Sequence, residues 1–246
     1  MRIGLLIIAA FWFLPVSSQT LQIMGSDQGF LPFYYGNNLD KGILVEVINE
    51  FTMETGIEAG FRPMARKRHA WALEEGLANA VFANPRWMPL PDRMHPVGPI
   101  LTWRDRVFAQ PGQQPDAFDD LRGSICLRRW FVYSDRLERR IGADLVRLDG
   151  YNAQQMLGMF LRKRCDYIVM NEIEFRFLAR MVEVDSDRYS TELIDAEWPV
   201  YLGILKAETA LIEAAEAFFA THRVDVEAML PELPPPDRPI SLQPFK

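Results

Sequence analysis

The sequence of 246 residues contains only two cysteines and three histidines, and its apolar runs are short. The longest of these runs, residues 3–14, falls below the roughly 18 apolar residues that a membrane-spanning helix needs. Two cysteines cannot form a disulfide scaffold, and the histidines are too far apart in sequence to resemble a metal-binding motif. We therefore expect no metal or other cofactor, and at most one disulfide.

Positive charge is also scarce, because 27 Lys and Arg residues stand against 33 Asp and Glu residues, for a formal net charge of −6. A mildly acidic chain is a poor candidate for binding nucleic acid or anionic membranes. The sequence also lacks a nucleophile-elbow serine, a phosphate-loop pattern and a paired-histidine motif. These absences favour a monomer that binds a small molecule or another protein over an enzyme.

The first 18 residues have the layout of a secretory signal peptide. Met1 and Arg2 give a short positive start, the apolar run follows, and small or neutral residues lead up to Ser18. We expect cleavage near Ser18 and a mature chain in the periplasm. An uncleaved N-terminal anchor is the alternative.

The mature chain alternates between strand and helix patterns. Residues 21–24, 59–63 and 80–83 read as strands, and they are separated by helices between Gly42 and Gly56 and over residues 67–75. This alternation predicts a parallel sheet with helices on its faces.

A turn-rich segment, residues 111–123, separates this first unit from a second one of the same kind. In the second unit we predict strands at residues 124–129, 145–148 and 167–170, and helices at residues 134–141, 153–161 and 172–181. We also predict four further segments: an extended segment over residues 97–108, a strand at 200–205, a helix at 209–222 and a non-helical tail from Leu230. The predicted fold class is α/β with two doubly wound lobes, residues 19–109 with 198–246 forming lobe I and residues 110–197 forming lobe II.

Ligands of open α/β sheets bind outside the carboxyl ends of the strands, which directs attention to four loops. These are residues 25–36, 84–87, 128–134 and 171–174. They are rich in aromatic rings and arginines, a combination that suits a small polar molecule with an anionic group. The candidate ligand-binding residues in them are Asp27, Phe30, Tyr34, Arg86, Trp87, Arg128, Arg129, Trp130 and Asn171. For Tyr34 and Trp87, packing under the loop is an equal alternative.

Six motifs in this order resemble the extracytoplasmic solute-binding proteins of ABC transporters, family 3, whose members include polar amino-acid binders. They are MGSDQGFLPFYYGN (24–37), KGILVEVINEFTMETG (41–56), RHAWALEEGLANAVF (68–82), PDRMHPVGPI (91–100), FDDLRGSICLRRW (118–130) and MLGMFLRKRCDYIVMNE (156–172). The resemblance implies a clamp of two lobes, joined by a two-strand hinge, that closes around a solute.

The resemblance also implies roles for particular residues. Asp27 and Phe30 match positions that face the ligand, and Arg93 matches the arginine that binds a ligand carboxylate. A surface ion pair with Asp92 or Asp105 is the alternative for Arg93. Arg128 or Arg129 matches a basic residue beside the ligand in the second lobe, with a solvated basic pair as the alternative.

Two positions depart from the pattern of the amino-acid binders. Asn171 stands where those proteins usually carry the acid that receives the ligand ammonium group, and Glu172 or Glu174 is the candidate to replace it. Bulky residues 130–133, Trp130 among them, replace a glycine-rich turn. These departures keep the clamp but put an amino-acid ligand in question.

The two cysteines belong to one lobe in this reading. Cys126 lies in the first strand of the second lobe and Cys165 just before its third strand, and these strands are neighbours in a doubly wound lobe. A Cys126–Cys165 disulfide is therefore expected, with two buried free thiols as the alternative.

The expected function is capture of a small polar solute that bears a carboxylate, for delivery to an inner-membrane ABC permease. A periplasmic enzyme on the same scaffold, similar to the dehydratases that act on cyclic carboxylates, is one alternative. A sensor or accessory protein that binds another membrane or periplasmic protein is a further one.

Overall fold

The computed structural model describes residues 19–129, 131 and 133–236. The expected signal peptide and Trp130 therefore lie outside the described residues. Eight strands form one curled sheet in the order β2-β1-β3-β8-β4-β7-β5-β6. The strands are β1 (Leu21–Ser26), β2 (Ala59–Met64), β3 (Ala80–Ala83), β4 (Met94–Ala109), β5 (Gly123–Arg128), β6 (Leu145–Gly150), β7 (Tyr167–Asn171) and β8 (Ser190–Leu205).

Seven α-helices cover this sheet in the described part of the chain. They are α1 (Ile43–Thr55), α2 (His69–Glu74), α3 (Asp135–Glu138), α4 (Ala153–Leu161), α5 (Glu172–Met181), α6 (Thr209–Thr221) and α7 (Val226–Met229). Short 3-10 turns precede α2, follow β3 and α7, and occupy the segment between β4 and β5.

The two predicted lobes correspond to two parallel three-stranded groups. In lobe I, β1 pairs in parallel with β2 and β3, and in lobe II, β5 pairs in parallel with β6 and β7. The antiparallel pair β4 and β8, each of 16 residues, runs through both groups and joins them. The predicted α/β fold with a two-strand hinge is confirmed. The exact lobe boundaries stay a prediction, because both hinge strands are continuous.

Most predicted elements are present with small changes in length. β8 begins at Ser190, ten residues before the predicted start, because its first half pairs with the second half of β4. The predicted helix over residues 134–141 is reduced to α3. The short helix α7 was not predicted, and a 3-10 turn over Leu230–Glu232 interrupts the tail that was expected to contain no helix.

The aromatic loop after β1 is fixed to the start of α1. α1 has no side-chain cap; instead the carbonyls of Pro32 and Phe33 accept hydrogen bonds from the amides of Ile43 and Leu44, at 3.0 and 2.9 Å. This close approach requires Gly42, where φ is +121° and a Cβ atom would lie 2.5 Å from the Pro32 carbonyl oxygen. The loop is thus part of the packed structure.

The largest apolar core crosses from one lobe to the other. It contains buried residues of α1 and α6 from lobe I together with residues of α4 and α5 from lobe II. Phe51 meets Phe218 in lobe I, and Phe108 of the hinge stacks on Phe175 of lobe II with ring centroids 3.7 Å apart. Smaller cores lie on the opposite faces of the two lobes.

The expected disulfide is present in lobe II. Cys126 in β5 and Cys165 before β7 are bonded, with Cα atoms 5.8 Å apart, and both residues are buried. β5 and β7 are neighbours, with Cys126 opposite Ile168. The bridge therefore fixes the start of β7 to the middle of β5.

Replacing both Cys126 and Cys165 by Ala should lower the free energy of unfolding by about 3 to 4 kcal/mol, since the bridge closes a loop with a sequence separation of 39 residues. Urea denaturation of parent and variant measures the difference. Thiol titration of the denatured parent, with and without reductant, checks that the bridge is formed. A difference below about 1 kcal/mol would show that the bridge contributes little to stability.

Candidate functional site

The carboxyl ends of two lobe II strands meet the middle of a hinge strand. Asp105 in β4 lies opposite Asn171, the last residue of β7. Arg128 is the last residue of β5, which pairs with β7 on its other side. The sheet register therefore brings Asp105, Asn171 and Arg128 to one edge, where ligands of α/β sheets bind.

A set of aromatic rings forms the facing wall in lobe I. Phe30 stacks on Phe33 at 5.5 Å and on Trp103 of the hinge at 4.8 Å between ring centroids. Phe33 is buried beneath it, with 1% of its surface exposed, whereas Phe30 is partly exposed. The Arg128 guanidinium of lobe II lies 5.7 Å from the centre of the Phe30 ring. This contact crosses between the lobes and defines the cleft.

Two carboxyl groups lie in the cleft with few partners. The indole Nε1 of Trp103 donates a hydrogen bond of 2.7 Å to Oδ1 of Asp105. Glu174 stands in the first turn of α5 and is 5% exposed. Within the described part of the chain, its carboxylate makes no hydrogen bond or ion pair at contact distance. A buried carboxyl without a partner is costly when it is ionised.

Burial changes the protonation of both groups. Loss of solvation raises the pKa of Asp105 to about 7, and the Trp103 hydrogen bond opposes this rise. Loss of solvation likewise raises the pKa of Glu174 to about 7, against the attraction of Arg128 and with repulsion from Asp105. The two acids are thus held near their titration point at neutral pH by their surroundings, and a nearby positive charge would ionise them.

Tyr133 and Asp195 make hydrogen bonds next to the cleft. The hydroxyl of Tyr133 accepts a hydrogen bond of 2.7 Å from the backbone amide of Arg128, and burial raises the Tyr133 pKa. Asp195, which lies at a bulge where β8 has one residue more than β4, accepts hydrogen bonds from the amide and hydroxyl of Ser134, at 3.1 and 2.5 Å. These contacts hold Tyr133 against the end of β5 and Ser134 against β8.

Asn171 is a helix cap. Its Oδ1 atom accepts hydrogen bonds from the amides of Ile173 and Glu174, at 3.0 and 3.2 Å, and its Nδ2 atom donates to the Arg104 carbonyl at 3.3 Å. The residue is 2% exposed. Asn171 therefore positions Glu174, and its own polar atoms are already engaged.

The two glutamates after Asn171 point in different directions, as the start of a helix requires. Glu172 forms ion pairs with Arg106 at 3.3 Å and Arg104 at 3.6 Å. Glu174 faces the cleft, within electrostatic reach of Arg128 and Asp105. Of the two glutamates, only Glu174 lies beside Arg128 and Asp105, whereas Glu172 is engaged by Arg104 and Arg106.

The structure does not bring Arg93 to the cleft. Arg93 precedes β4, and its carbonyl accepts a hydrogen bond from the amide of Lys206 beyond the end of β8. This is the amino-terminal edge of β3, whereas the ligand loops leave its carboxyl end. The Arg93 side chain is half exposed and lies 3.8 Å from Glu74. An ion pair was the alternative for Arg93, with Glu74 in place of the acids considered from the sequence.

Arg86 and Trp87 form a separate group with Trp198. The Arg86 guanidinium lies 4.8 Å from the centre of the Trp198 ring, and Trp87 meets the same ring edge-on at 5.6 Å. Trp198 lies opposite Trp103 in the hinge ribbon, so it is a neighbour of the cleft. Asn84 fixes this loop by donating to the Pro199 carbonyl at 2.8 Å.

The remaining predicted residues have other surroundings. Tyr34 packs on Phe61 at 5.3 Å, and burial raises its pKa. Asp27 is exposed at the carboxyl end of β1, within electrostatic reach of His69. Arg129 points away from Phe30, since its Nη1 donates to the Tyr151 hydroxyl at 2.7 Å.

Sequence reasoning did not find Trp103 as a cleft residue, and it treated Asp105 only as an ion-pair partner for Arg93. The rule on strand ends selects loops, and these two residues lie within a long strand. Their spacing was a usable signal, because residues two apart in a strand share a face. An acid and an indole on one face of a predicted hinge strand point into the space between the lobes.

Comparison with known proteins gives structural similarity only. The chain matches no family model, and no curated protein matches it in sequence. Substrate-binding domain 2 of GlnP from Lactococcus lactis, in an open conformation, superposes with a TM-score of 0.66 at 14% identity, over 89% of this chain and 96% of that one.

Two other solved structures show the range of proteins with this architecture. The ancestral amino acid-binding protein AncCDT-1, a precursor of cyclohexadienyl dehydratase, has a TM-score of 0.60 at 15% identity, covering 87% of this chain and 93% of that one. A histidine kinase sensor domain with similarity to periplasmic binding proteins has a TM-score of 0.61 at 19% identity, covering 87% and 95%. The fold is therefore periplasmic-binding-protein-like.

In the described residues, no helix is both long enough and apolar enough to span a bilayer.

Replacing Asp105 by Asn tests the raised pKa of this half-buried acid. A carboxyl whose pKa is raised on folding adds stability below its unfolded pKa, near 3.8, and that stability is lost as the pH rises through about 7. The variant keeps an acceptor for Trp103. It should nearly match the parent near pH 4 and exceed the parent's free energy of unfolding at pH 8 by about 4 kcal/mol, since each unit of the shift in the Asp105 pKa corresponds to about 1.4 kcal/mol.

Urea denaturation at the two pH values measures this difference. Asp116→Asn, which changes an exposed acid in the segment between β4 and β5, is the matched control and should show no pH-dependent difference. Equal stability of Asp105→Asn and parent at both pH values would show that Asp105 is well solvated.

Proposed function

We propose that this protein binds a small polar solute between its lobes. The observation that carries the proposal is the group of charges in the cleft: one arginine, Arg128, faces two poorly solvated carboxyls, Asp105 and Glu174, beside the Phe30 and Trp103 rings. A small number of polar groups that converge on an aromatic surface is typical of a ligand site.

The charges define what the solute needs to supply. A carboxylate on the solute fits Arg128, whose guanidinium can donate to both oxygens. A protonated nitrogen fits Asp105 and Glu174, because it would be the positively charged partner that their carboxylates need when they are ionised. A neutral N–H group could still donate a hydrogen bond to them. We therefore propose a solute that carries a carboxylate and a nitrogen donor, with an apolar part against the rings.

Binding would act through the hinge. A solute that contacts Phe30 in lobe I and Arg128 in lobe II favours the closed arrangement over the open one, by the difference in its affinity for the two. We propose that the mature chain works in the periplasm and that the closed form delivers the solute to an inner-membrane ABC permease. The structural likeness to a transporter's substrate-binding domain supports this proposal at the level of fold.

A thermal-shift screen tests the proposal. We expect solutes with both a carboxylate and an amine to raise the melting temperature, because a ligand at 100 times its Kd adds about 2.7 kcal/mol of stability. Dicarboxylates without nitrogen and amines without carboxylate should have smaller effects.

Two neighbouring arginines give a matched pair for this screen. Arg128→Gln should weaken binding of any stabilising solute by at least about tenfold, whereas Arg129→Gln, which changes the arginine that points to Tyr151, should leave it within about twofold. If no small solute in a broad library stabilises the parent, or if both variants lose binding equally, the proposed site is wrong.

An enzyme on the same scaffold is a second candidate, favoured by the cleft acids. Carboxyls with a pKa near 7 can donate and accept protons at neutral pH, as acid–base catalysis requires. AncCDT-1, one of the structural neighbours, is described as the precursor of a dehydratase. Incubation with prephenate or arogenate, followed by ultraviolet detection of an aromatic product, tests this candidate.

If the protein is an enzyme, the parent should form product, and Glu174→Gln should lower the rate of product formation at least about a hundredfold. Glu172→Gln is the control in the same helix turn, since Glu172 is paired with Arg106 and Arg104. Absence of product with the parent, in a preparation that binds a solute, would favour the binding protein over the enzyme.

A further inference from the structure

The chain crosses from lobe I to lobe II a third time after the hinge strands. α6 packs on β4 and α1 in lobe I, and residues 225–236, here named the C-terminal strap, then lie along α5 of lobe II. Two leucines of the strap are buried in the core that the lobes share, Leu230 with 7% and Leu233 with 6% of their surface exposed. The strap is therefore packed against the body of the protein.

Two arginines of α5 hold the strap to lobe II. Arg176 forms a two-pronged ion pair with Glu227, with Nη1 and Oε1 2.7 Å apart. Arg180 donates to the carbonyls of Pro231 and Leu233, the latter at 3.0 Å. Hydrogen bonds that involve a charged group are among the stronger ones in proteins.

One tyrosine of the aromatic loop holds the strap to lobe I. The hydroxyl of Tyr35 donates a hydrogen bond of 2.5 Å to the carbonyl of Pro234. The Tyr35 ring also meets Phe177 of α5, with centroids 5.7 Å apart. Tyr35 is 3% exposed and belongs to the loop that carries Phe30. The strap thus contacts the ligand loop of one lobe and the helix that carries Glu174 in the other.

We infer that the C-terminal strap is a latch that holds the two lobes in the arrangement in which Arg128 lies against the Phe30 ring, here called the closed arrangement. β4 and β8 alone would let the lobes rotate about the hinge. A rotation that separates Phe30 from Arg128 also separates Tyr35 from Phe177 and from Pro234, because α5 carries the strap with it. The latch is argued from the contacts of the strap alone, so it does not depend on the proposed function.

The latch has a consequence for binding. An empty protein that already favours the closed arrangement needs less of the solute's affinity to close, and access to the cleft then depends on release of the strap. Any partner that displaces the strap would open the cleft. The strap and the cleft are therefore coupled through Tyr35 and α5.

Single-molecule fluorescence energy transfer on the full mature chain tests the latch. Labels attached through Met53→Cys in lobe I and Val146→Cys in lobe II use two exposed positions, and the native cysteines are both bridged. The unliganded protein should be mostly closed. The double variant Arg176→Ala with Arg180→Ala should shift the ratio of open to closed molecules by at least about tenfold towards open.

Two further variants make the test decisive. Tyr35→Phe removes a single hydroxyl and keeps the ring, so it stays folded even if the double variant does not, and it should shift the ratio in the same direction by a few-fold. Arg162→Ala is the matched control, because Arg162 donates to a carbonyl of its own helix, Gly158 in α4, at 3.4 Å. The latch is refuted if Tyr35→Phe leaves the ratio unchanged, or if Arg162→Ala shifts it equally.

Discussion

The pairing of β4 with β8 is the constraint on which the rest of the structure depends. In the described sheet these two strands connect the parallel groups, because β8 pairs with β3 of lobe I, β4 pairs with β7 of lobe II, and the two pair with each other. They also carry part of the cleft, since Trp103 and Asp105 lie on β4 and Trp198 on β8. The same two strands thus form the hinge and part of the proposed binding surface, and rotation of the lobes would change the surroundings of Asp105.

The proposed function depends on three charged side chains in poorly solvated positions beside the hinge strands. Asp105 comes from the hinge, Glu174 from the first turn of α5 and Arg128 from the end of β5, and no two of them belong to the same element. Folding brings them together at a cost, because burial penalises their charged forms. Buried acids with strongly shifted pKa values are concentrated at functional sites, which is why we propose this cluster, rather than the more exposed arginines, as the ligand site.

The lobes and most helices and strands could be predicted from the sequence, because apolar periodicity is local. The disulfide followed from the order of strands in a doubly wound lobe. The site was predicted less well, because it depends on register and side-chain direction. Arg128 lies against the Phe30 ring across the cleft, whereas Arg93 follows a loop with three prolines that returns the chain to the far edge of β3. Asn171 was predicted as a ligand-binding residue, and its role as the cap that positions Glu174 is visible only when the helix is in place.

The protonation of Glu174 and Asp105 in the empty cleft is the most direct test of this account. Carbon-13 NMR of the side-chain carboxyls, assigned with Glu174→Gln and Asp105→Asn, reports both pKa values in the unliganded protein and in its complex with a stabilising solute. The account predicts values near 7 in the empty protein and a fall in both when a solute with a positively charged nitrogen binds. Values close to 4 in the empty protein, or values unchanged by the solute, would contradict it.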